Sequence, residues 1–261
     1  MSRICPLFSG SSGNSTYIGC RNDGILVDIG VSTKKTVAAL AELNIDPESI
    51  KAVFITHTHS DHISGLKTFV KKYKVQVIAS RETLDKLIGK GIITADSARR
   101  LDLTAELDNF RVNCFETRHD CDGSRGYVIE TAEGNSAAVC TDTGIVTEEI
   151  RNSLCGVDAM VFESNHDVTM LNNNMSYPYD LKKRILSENG HLSNGSSASE
   201  LPGFVKNGTT RIILAHLSRE NNTPMLAEST ALSVLGDKGV KVKKDCLLYV
   251  AAPQSNPMII F

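Results

Sequence analysis

The chain has no tryptophan, and aromatic residues make up only 5% of its 261 positions. A platform of stacked aromatic rings, as single-strand binders use, is therefore not expected. An excess of one charge is also missing. The 28 Lys and Arg face 30 Asp and Glu, for a net charge of −2. That balance excludes a strongly basic nucleic-acid coat and leaves room for a local basic patch. No apolar run approaches the roughly 20 residues of a membrane span. The opening Met1–Phe8 segment has no signal-peptide apolar core. A cytoplasmic protein without a membrane partner is expected. The seven cysteines (5, 20, 114, 121, 140, 155 and 246) are odd in number, widely spaced and never CxxC. They point to buried free thiols, not to a disulfide framework or zinc ribbon.

What is present is ordinary globular usage: 41% hydrophobic and 22% charged residues. A chain of this length buries roughly 70–75% of its unfolded surface, so it needs no metal to fold. No linker, low-complexity tract or repeat divides it, and one domain over 1–261 is expected. Strands are expected at 25–29, 52–56, 75–79, 112–116, 127–130, 137–141, 159–163, 211–215, 247–251 and 258–260. Helices are expected at 36–43, 62–73, 82–88, 178–188 and 224–235. Another follows Thr147 as N-cap, with Glu148 and Glu149 in its first turn. Ala132–Asn135 reads as a hairpin turn. Interspersed strands and helices favour a mixed α/β (α+β) sandwich.

The densest chemistry lies in Thr56-His57-Thr58-His59-Ser60-Asp61-His62. On extended backbone alternate residues face the same way, so His57 and His59 can grip one ion together. Asp61 and His62 fall at the turn into the next helix and can address a second. Imidazole and carboxylate suit Zn²⁺, Mn²⁺ or Fe. His119, Asp142 and His216 each sit just past the end of an expected strand, where open α/β sheets place ligands. Asp28 ends the strand before Gly30. It either orients a ligand histidine from behind or is a turn residue. Cys121 and Cys140 lie near these candidates in sequence, with packing favoured over ligation.

In order and separation, Asp28, His57–His62, His119, Asp142 and His216 resemble the five motifs of the metallo-β-lactamase fold. The resemblance implies a four-layer αββα sandwich with a two-metal site along its sheet edge. His57, His59 and His119 would hold one metal; Asp61, His62 and His216 would hold the second; Asp142 would bridge them. The stretches Pro6–Ser15, Glu163–Asp167, Tyr177–Lys182, Arg184–Ser187, Gly190–Asn194 and Leu214–Asn222 are similar to the bacterial YycJ/WalJ branch. That branch implies a metal-dependent 5′-to-3′ exonuclease acting on double-stranded DNA. The chain departs from it after Asn194, where Pro202 and Gly203 are expected to shorten any helix and to alter substrate reach beside His191.

Two divalent ions, Zn²⁺ or Mn²⁺ with Fe possible, are thus the implied cofactors. Paired ions about 3.5–4 Å apart generate hydroxide and clamp the oxygens of an in-line displacement at phosphorus. Asp61 is expected to accept a proton as well as bind metal. His191 is expected to touch a phosphate oxygen or protonate the leaving group, with a capping or core histidine as the alternative. His166 is a weaker candidate of the same kind. Ser11, Ser12 and Asn14 lie in a glycine-rich segment whose N–H groups can cradle phosphate, or which is simply a tight hairpin. Among the basic runs at 71–74, 182–184 and 238–244, the middle one lies nearest His191 and is the candidate for DNA backbone contact. A small phosphodiester is a rival substrate, as is a β-lactam or thioester. A redox di-iron protein is disfavoured, because that branch has Glu where this chain has His59.

Overall fold

The computed structural model describes residues 1–261. Two seven-stranded sheets are laid down in succession. The first contains β1 (Ser2–Phe8), β2 (Ser15–Cys20), β3 (Asp23–Val27), β4 (Ile50–Phe54), β5 (Gln76–Ala79) and β6 (Ala98–Arg100). The second contains β7 (Thr104–Leu107), β8 (Phe110–Glu116), β9 (Arg125–Thr131), β10 (Ser136–Cys140), β11 (Ala159–Glu163), β12 (Arg211–Ala215) and β13 (Leu247–Val250). The terminal β14 (Ile259–Ile260) returns to pair with β1. Each sheet is mixed: β1–β3 and β7–β10 run antiparallel, while β3–β6 and β10–β13 run parallel. Parallel strands are covered on both faces, which is why they read as unbroken apolar runs such as Ala159–Phe162.

Helices α1 (Thr33–Glu42), α2 (Ser60–Ile63), α3 (Leu66–Tyr73) and α4 (Arg81–Gly89) accompany the first sheet. Helices α5 (Glu148–Leu154), α6 (Val168–Asn173), α7 (Tyr179–Ile185), α8 (Asn194–Lys206) and α9 (Pro224–Asp237) accompany the second. Three apolar layers of nearly equal size follow, with 22, 22 and 20 buried residues. One joins the sheets face to face, through Ile25, Phe54, Tyr127 and Val161. The others seat Leu40, Phe69 and Leu87 on the first sheet, and Ile150, Leu201 and Leu235 on the second. The result is the expected four-layer αββα sandwich.

The sheets are also tied at the point that matters for the site. The Tyr127 hydroxyl donates to the Ile55 carbonyl at 2.5 Å, and its ring meets Phe54 edge-on at 5.4 Å. The end of β4 is therefore pinned two residues before His57.

Every expected strand is present, with ends shifted by up to two residues. The first strand stops at Val27, because Asp28 adopts φ +64° and cannot continue it. The single helix expected at 62–73 is two, α2 and α3, interrupted at Ser64-Gly65. A Cβ on Gly65 would lie 2.1 Å from the Val31 carbonyl, so this close approach breaks the helix. Thr147 caps α5 as expected, accepting from the Ile150 N–H.

Pro202 does not shorten α8, which runs 13 residues through it. A proline inside a helix costs roughly 3 kcal/mol. Burial of Leu201 and Phe204 on the same helix returns roughly 1.5–3 kcal/mol each, so packing wins. The thiols are all free, but they are not all buried: Cys155 is exposed, and Cys114 and Cys121 are half-buried. No helix is long and apolar enough to cross a membrane.

Candidate metal centre

Both sheets direct the ends of β3, β4, β8, β10, β11 and β12 to one edge, and the titratable residues follow those ends. Three of them, Asp28, Asp142 and His216, adopt φ of +64°, +57° and +58°. Left-handed backbone in non-glycine residues is strained and recurs at functional sites. Here it turns Asp142 and His216 off their strands and into the centre, and Asp28 in behind His62. Neighbours hold the strained peptides. Ser9 Oγ accepts from the His216 N–H, and Asn165 Nδ2 donates to the His216 carbonyl, both at 2.8 Å. A Cβ on Gly30 would fall 1.7 Å from the Asp61 carbonyl. Only glycine there lets the β3 loop close on α2.

The expected ligands converge. Donor atoms of His57, His59 and His119 lie within 4.8 Å of one another, and so do those of Asp61, His62 and His216. Asp142 stands between the sets. Its Oδ2 is 3.4 Å from His62 Nε2, and its Oδ1 is 3.8 Å from His119 Nε2 and 3.7 Å from His216 Nδ1.

The outer nitrogens are fixed from behind. His62 Nδ1 donates to Asp28 Oδ2 at 2.7 Å, and His119 Nδ1 to the Gly190 carbonyl at 3.2 Å. His216 Nδ1 donates to Glu163 Oε1 at 2.8 Å. Each ring therefore turns Nε2 inward, the nitrogen a metal-binding imidazole would present. Asp28 also accepts from the Thr56 N–H and hydroxyl, at 2.9 and 2.8 Å. It acts behind His62 and is not merely a turn residue.

The donor set fits divalent cations. His57 Nε2, Asp142 Oδ2 and His216 Nε2 are buried without any hydrogen-bond partner. An orphaned buried polar atom costs roughly 1–3 kcal/mol, and cations held among these donors would remove that cost. Burial pushes His57 and His119 below their ordinary values, which keeps their ligand nitrogens free of protons. Burial also opposes charge on His62 and His216. Asp142 and the carboxylates behind them outweigh it, raising His62 to about 9 and His216 well above its usual range. Burial opposes charge on Asp142 too, but the surrounding imidazoles hold it ionised.

Glu163 is the residue that the sequence did not single out. It is fully buried at the end of β11. Its Oε1 accepts from His191 and His216, and its Oε2 from the Thr143 and Leu192 N–H groups. With four donors on one carboxylate, Glu163 has no lone pair left for a metal. Its proximity to Asp142, His191 and His216 is thus one of support.

His191 turns Nδ1 to Glu163 and lines a cavity of about 240 Å³ over the cluster, with Ser11, Asp61, Asp142, Tyr177, Arg184 and His216. The other substrate candidates fare differently. Ser11 lines the cavity, whereas Ser12 is exposed and accepts from Arg219. Asn14 is buried, with Nδ2 3.1 Å from His62 Nε2 and 3.3 Å from Asp61 Oδ2. His166 is buried away from the cavity lining, and neither of its ring nitrogens has a partner. Of the basic run at 182–184, Arg184 alone lines the cavity, while Lys182 is tied back to the Asn172 carbonyl. Cys140 packs in the core, and Cys121 Sγ lies 3.5 Å from the Thr58 hydroxyl.

Comparison with known proteins agrees with this architecture. The Beta-lactamase superfamily domain model matches residues 24–216. Exodeoxyribonuclease WalJ of Streptococcus pneumoniae is 35% identical over 95% of this chain and 94% of its own. Exodeoxyribonuclease YycJ of Bacillus anthracis is 35% identical over 90% of each chain. Zn²⁺-bound PqqB from Methylobacterium extorquens superposes with a TM-score of 0.72 at 16% identity, covering 99% of this chain and 100% of that one. At that identity the superposition speaks for the fold alone. With the family model spanning most of the chain and such relatives matched nearly end to end, the chain belongs to the metallo-β-lactamase superfamily and, within it, to the WalJ/YycJ family.

Proposed function

We propose that this protein is a metal-dependent exodeoxyribonuclease that hydrolyses DNA phosphodiester bonds from the 5′ end, its whole chain serving as one catalytic domain in the cytoplasm. The observation that carries the reading is the pair of donor sets sharing Asp142 beneath an open, arginine-rimmed cavity. The 35% identity to exodeoxyribonucleases over 95% of the chain selects DNA over other phosphodiesters. His57, His59, His119 and Asp142 would hold one ion, and Asp61, His62, His216 and Asp142 a second, of Zn²⁺ or Mn²⁺. Such a pair supplies Lewis acidity at the phosphoryl oxygens and an acidified water.

The chain's own groups do the rest. Asp61 reaches the cavity, and the neighbouring imidazoles of His216 and His62 outweigh its burial and keep it ionised. It accepts the proton of the attacking water. His191 presents Nε2 to the cavity while Glu163 holds Nδ1, so it serves the phosphate oxygen or the leaving group. Asp28 and Glu163 keep the ligand imidazoles oriented.

The test combines metal analysis with digestion of duplex DNA labelled at either end, alongside bis-p-nitrophenyl phosphate. Stepwise, metal-dependent shortening from the 5′ end is expected. Hydrolysis of the small diester with no shortening of DNA would overturn the reading in favour of a small-phosphodiester hydrolase.

A further inference from the structure

We propose that Arg184, steered by Asp120, grips the DNA phosphate next to the one being cleaved; this rests on the exodeoxyribonuclease reading. Asp120 directly follows the candidate ligand His119. Its Oδ1 lies 3.3 Å from His119 Nε2 and 3.5 Å from His59 Nε2, and its Oδ2 lies 2.7 Å from Arg184 Nε. The carboxylate therefore stands between the donor cluster and the guanidinium. Arg184 is drawn to the side of the cluster by Asp120, while the scissile phosphate would sit over the donors themselves. The guanidinium is one carboxylate's width away, on the cavity wall, where the neighbouring phosphate of the same strand would pass.

The pair is not there for stability. Arg184 is 55% exposed and Asp120 29% exposed, and ion pairs of that kind contribute about 0–1 kcal/mol. What the pair does is directional. The approach is at Nε, neither terminal nitrogen donates a hydrogen bond within the chain, and a guanidinium fork matches two phosphate oxygens. The platform beneath it is rigid. A Cβ on Gly190 would come within 2.3 Å of the Arg184 carbonyl and 2.2 Å of the Ile185 carbonyl, so the last turn of α7 sits directly on Gly190. The His191 N–H then bonds the Ile185 carbonyl at 3.0 Å. Arg184 and His191 are thus carried by one clamped turn, and the groups that would meet two successive phosphates keep a fixed spacing. Asp120 is a positioning residue in this scheme; Arg184 touches substrate.

The experiment compares wild type with Arg184→Ala, Arg184→Lys and Asp120→Asn. It measures metal content, kcat and KM on end-labelled duplex, and the salt dependence of binding to a fluorescein-labelled phosphorothioate duplex that resists cleavage. Arg184→Ala should keep its metals, raise KM about tenfold or more with kcat changed far less, and lower the salt slope by about 1. Arg184→Lys should restore the slope but not the full KM, because an ammonium keeps the charge and loses the fork. Asp120→Asn should raise KM in the same direction with its metals retained. Unchanged KM and slope in Arg184→Ala overturn the proposal, and so does loss of metal from Asp120→Asn, which would make Asp120 a ligand. Failure of the wild type to shorten or bind duplex DNA would instead remove the exonuclease reading on which the proposal stands.

Discussion

His191 and His216 share one acceptor: Glu163 Oε1 lies 2.8 Å from the Nδ1 of each. A residue of the proposed substrate site and a proposed metal ligand are thereby held by the same buried oxygen. Burial opposes charge on Glu163, yet the two imidazoles and their hydrogen bonds bring it down to about 2. The carboxylate is therefore ionised at neutral pH. Glu163→Gln keeps the size and loses that charge. The second metal should bind roughly 10–100-fold more weakly, the usual worth of a partner behind a ligand histidine. Competition against a chromophoric chelator measures it. Unaltered affinity would mean that Glu163 serves only to join the loops.

Stripping the metals should abolish DNA hydrolysis and spare the fold. The three apolar layers do not involve the donor atoms, so far-ultraviolet circular dichroism should be nearly unchanged. The melting temperature should fall, because ions that bind only the native state stabilise it by mass action. Two equivalents of Zn²⁺ or Mn²⁺ should restore activity. Full activity after metal removal, verified by elemental analysis, would end the metal mechanism.

The candidate ligands were legible because their signals are local. His57–His62 form one contiguous motif, and His119, Asp142 and His216 each mark a strand end. Glu163 carries no such mark. Its role exists only because β11 lies between β10 and β12 and so reaches His216 on one side and the His191 loop on the other. The break between α2 and α3 was hidden for the same reason, since it answers to the Val31 carbonyl, 34 residues away from Gly65 in the chain. Short polar edge strands such as β6 and β7 lack the apolar alternation that pattern reading needs. The glycine-rich setting of Asn14 fits a phosphate cradle or a tight hairpin; what it does not reveal is that Asn14 braces Asp61 and His62, a contact across nearly 50 residues.

Replacing His191 with alanine should leave both metals bound and lower turnover on DNA by about 10²–10⁴-fold, the range for a positioned acid or base. The loss should be smaller on bis-p-nitrophenyl phosphate, whose leaving group needs no proton. Loss of metal would make His191 a ligand. Undiminished DNA cleavage would reduce it to a buttress of Glu163.

His166 adds to the acid sensitivity of the fold. It is buried with both ring nitrogens unpartnered, and burial lowers its pKa to about 4. An unfolded histidine titrates near 6.5, so between pH 6.5 and 4 the unfolded chain holds a proton that the native state refuses. The stability this residue contributes is therefore complete above about pH 6.5 and is lost as the pH falls toward 4, by on the order of 2–3 kcal/mol. Urea unfolding of wild type and His166→Asn across that window, both with metals chelated, isolates the effect. The wild-type curve should fall more steeply with acid. Parallel curves would mean that His166 is protonated in the native state, through a partner its surroundings do not provide.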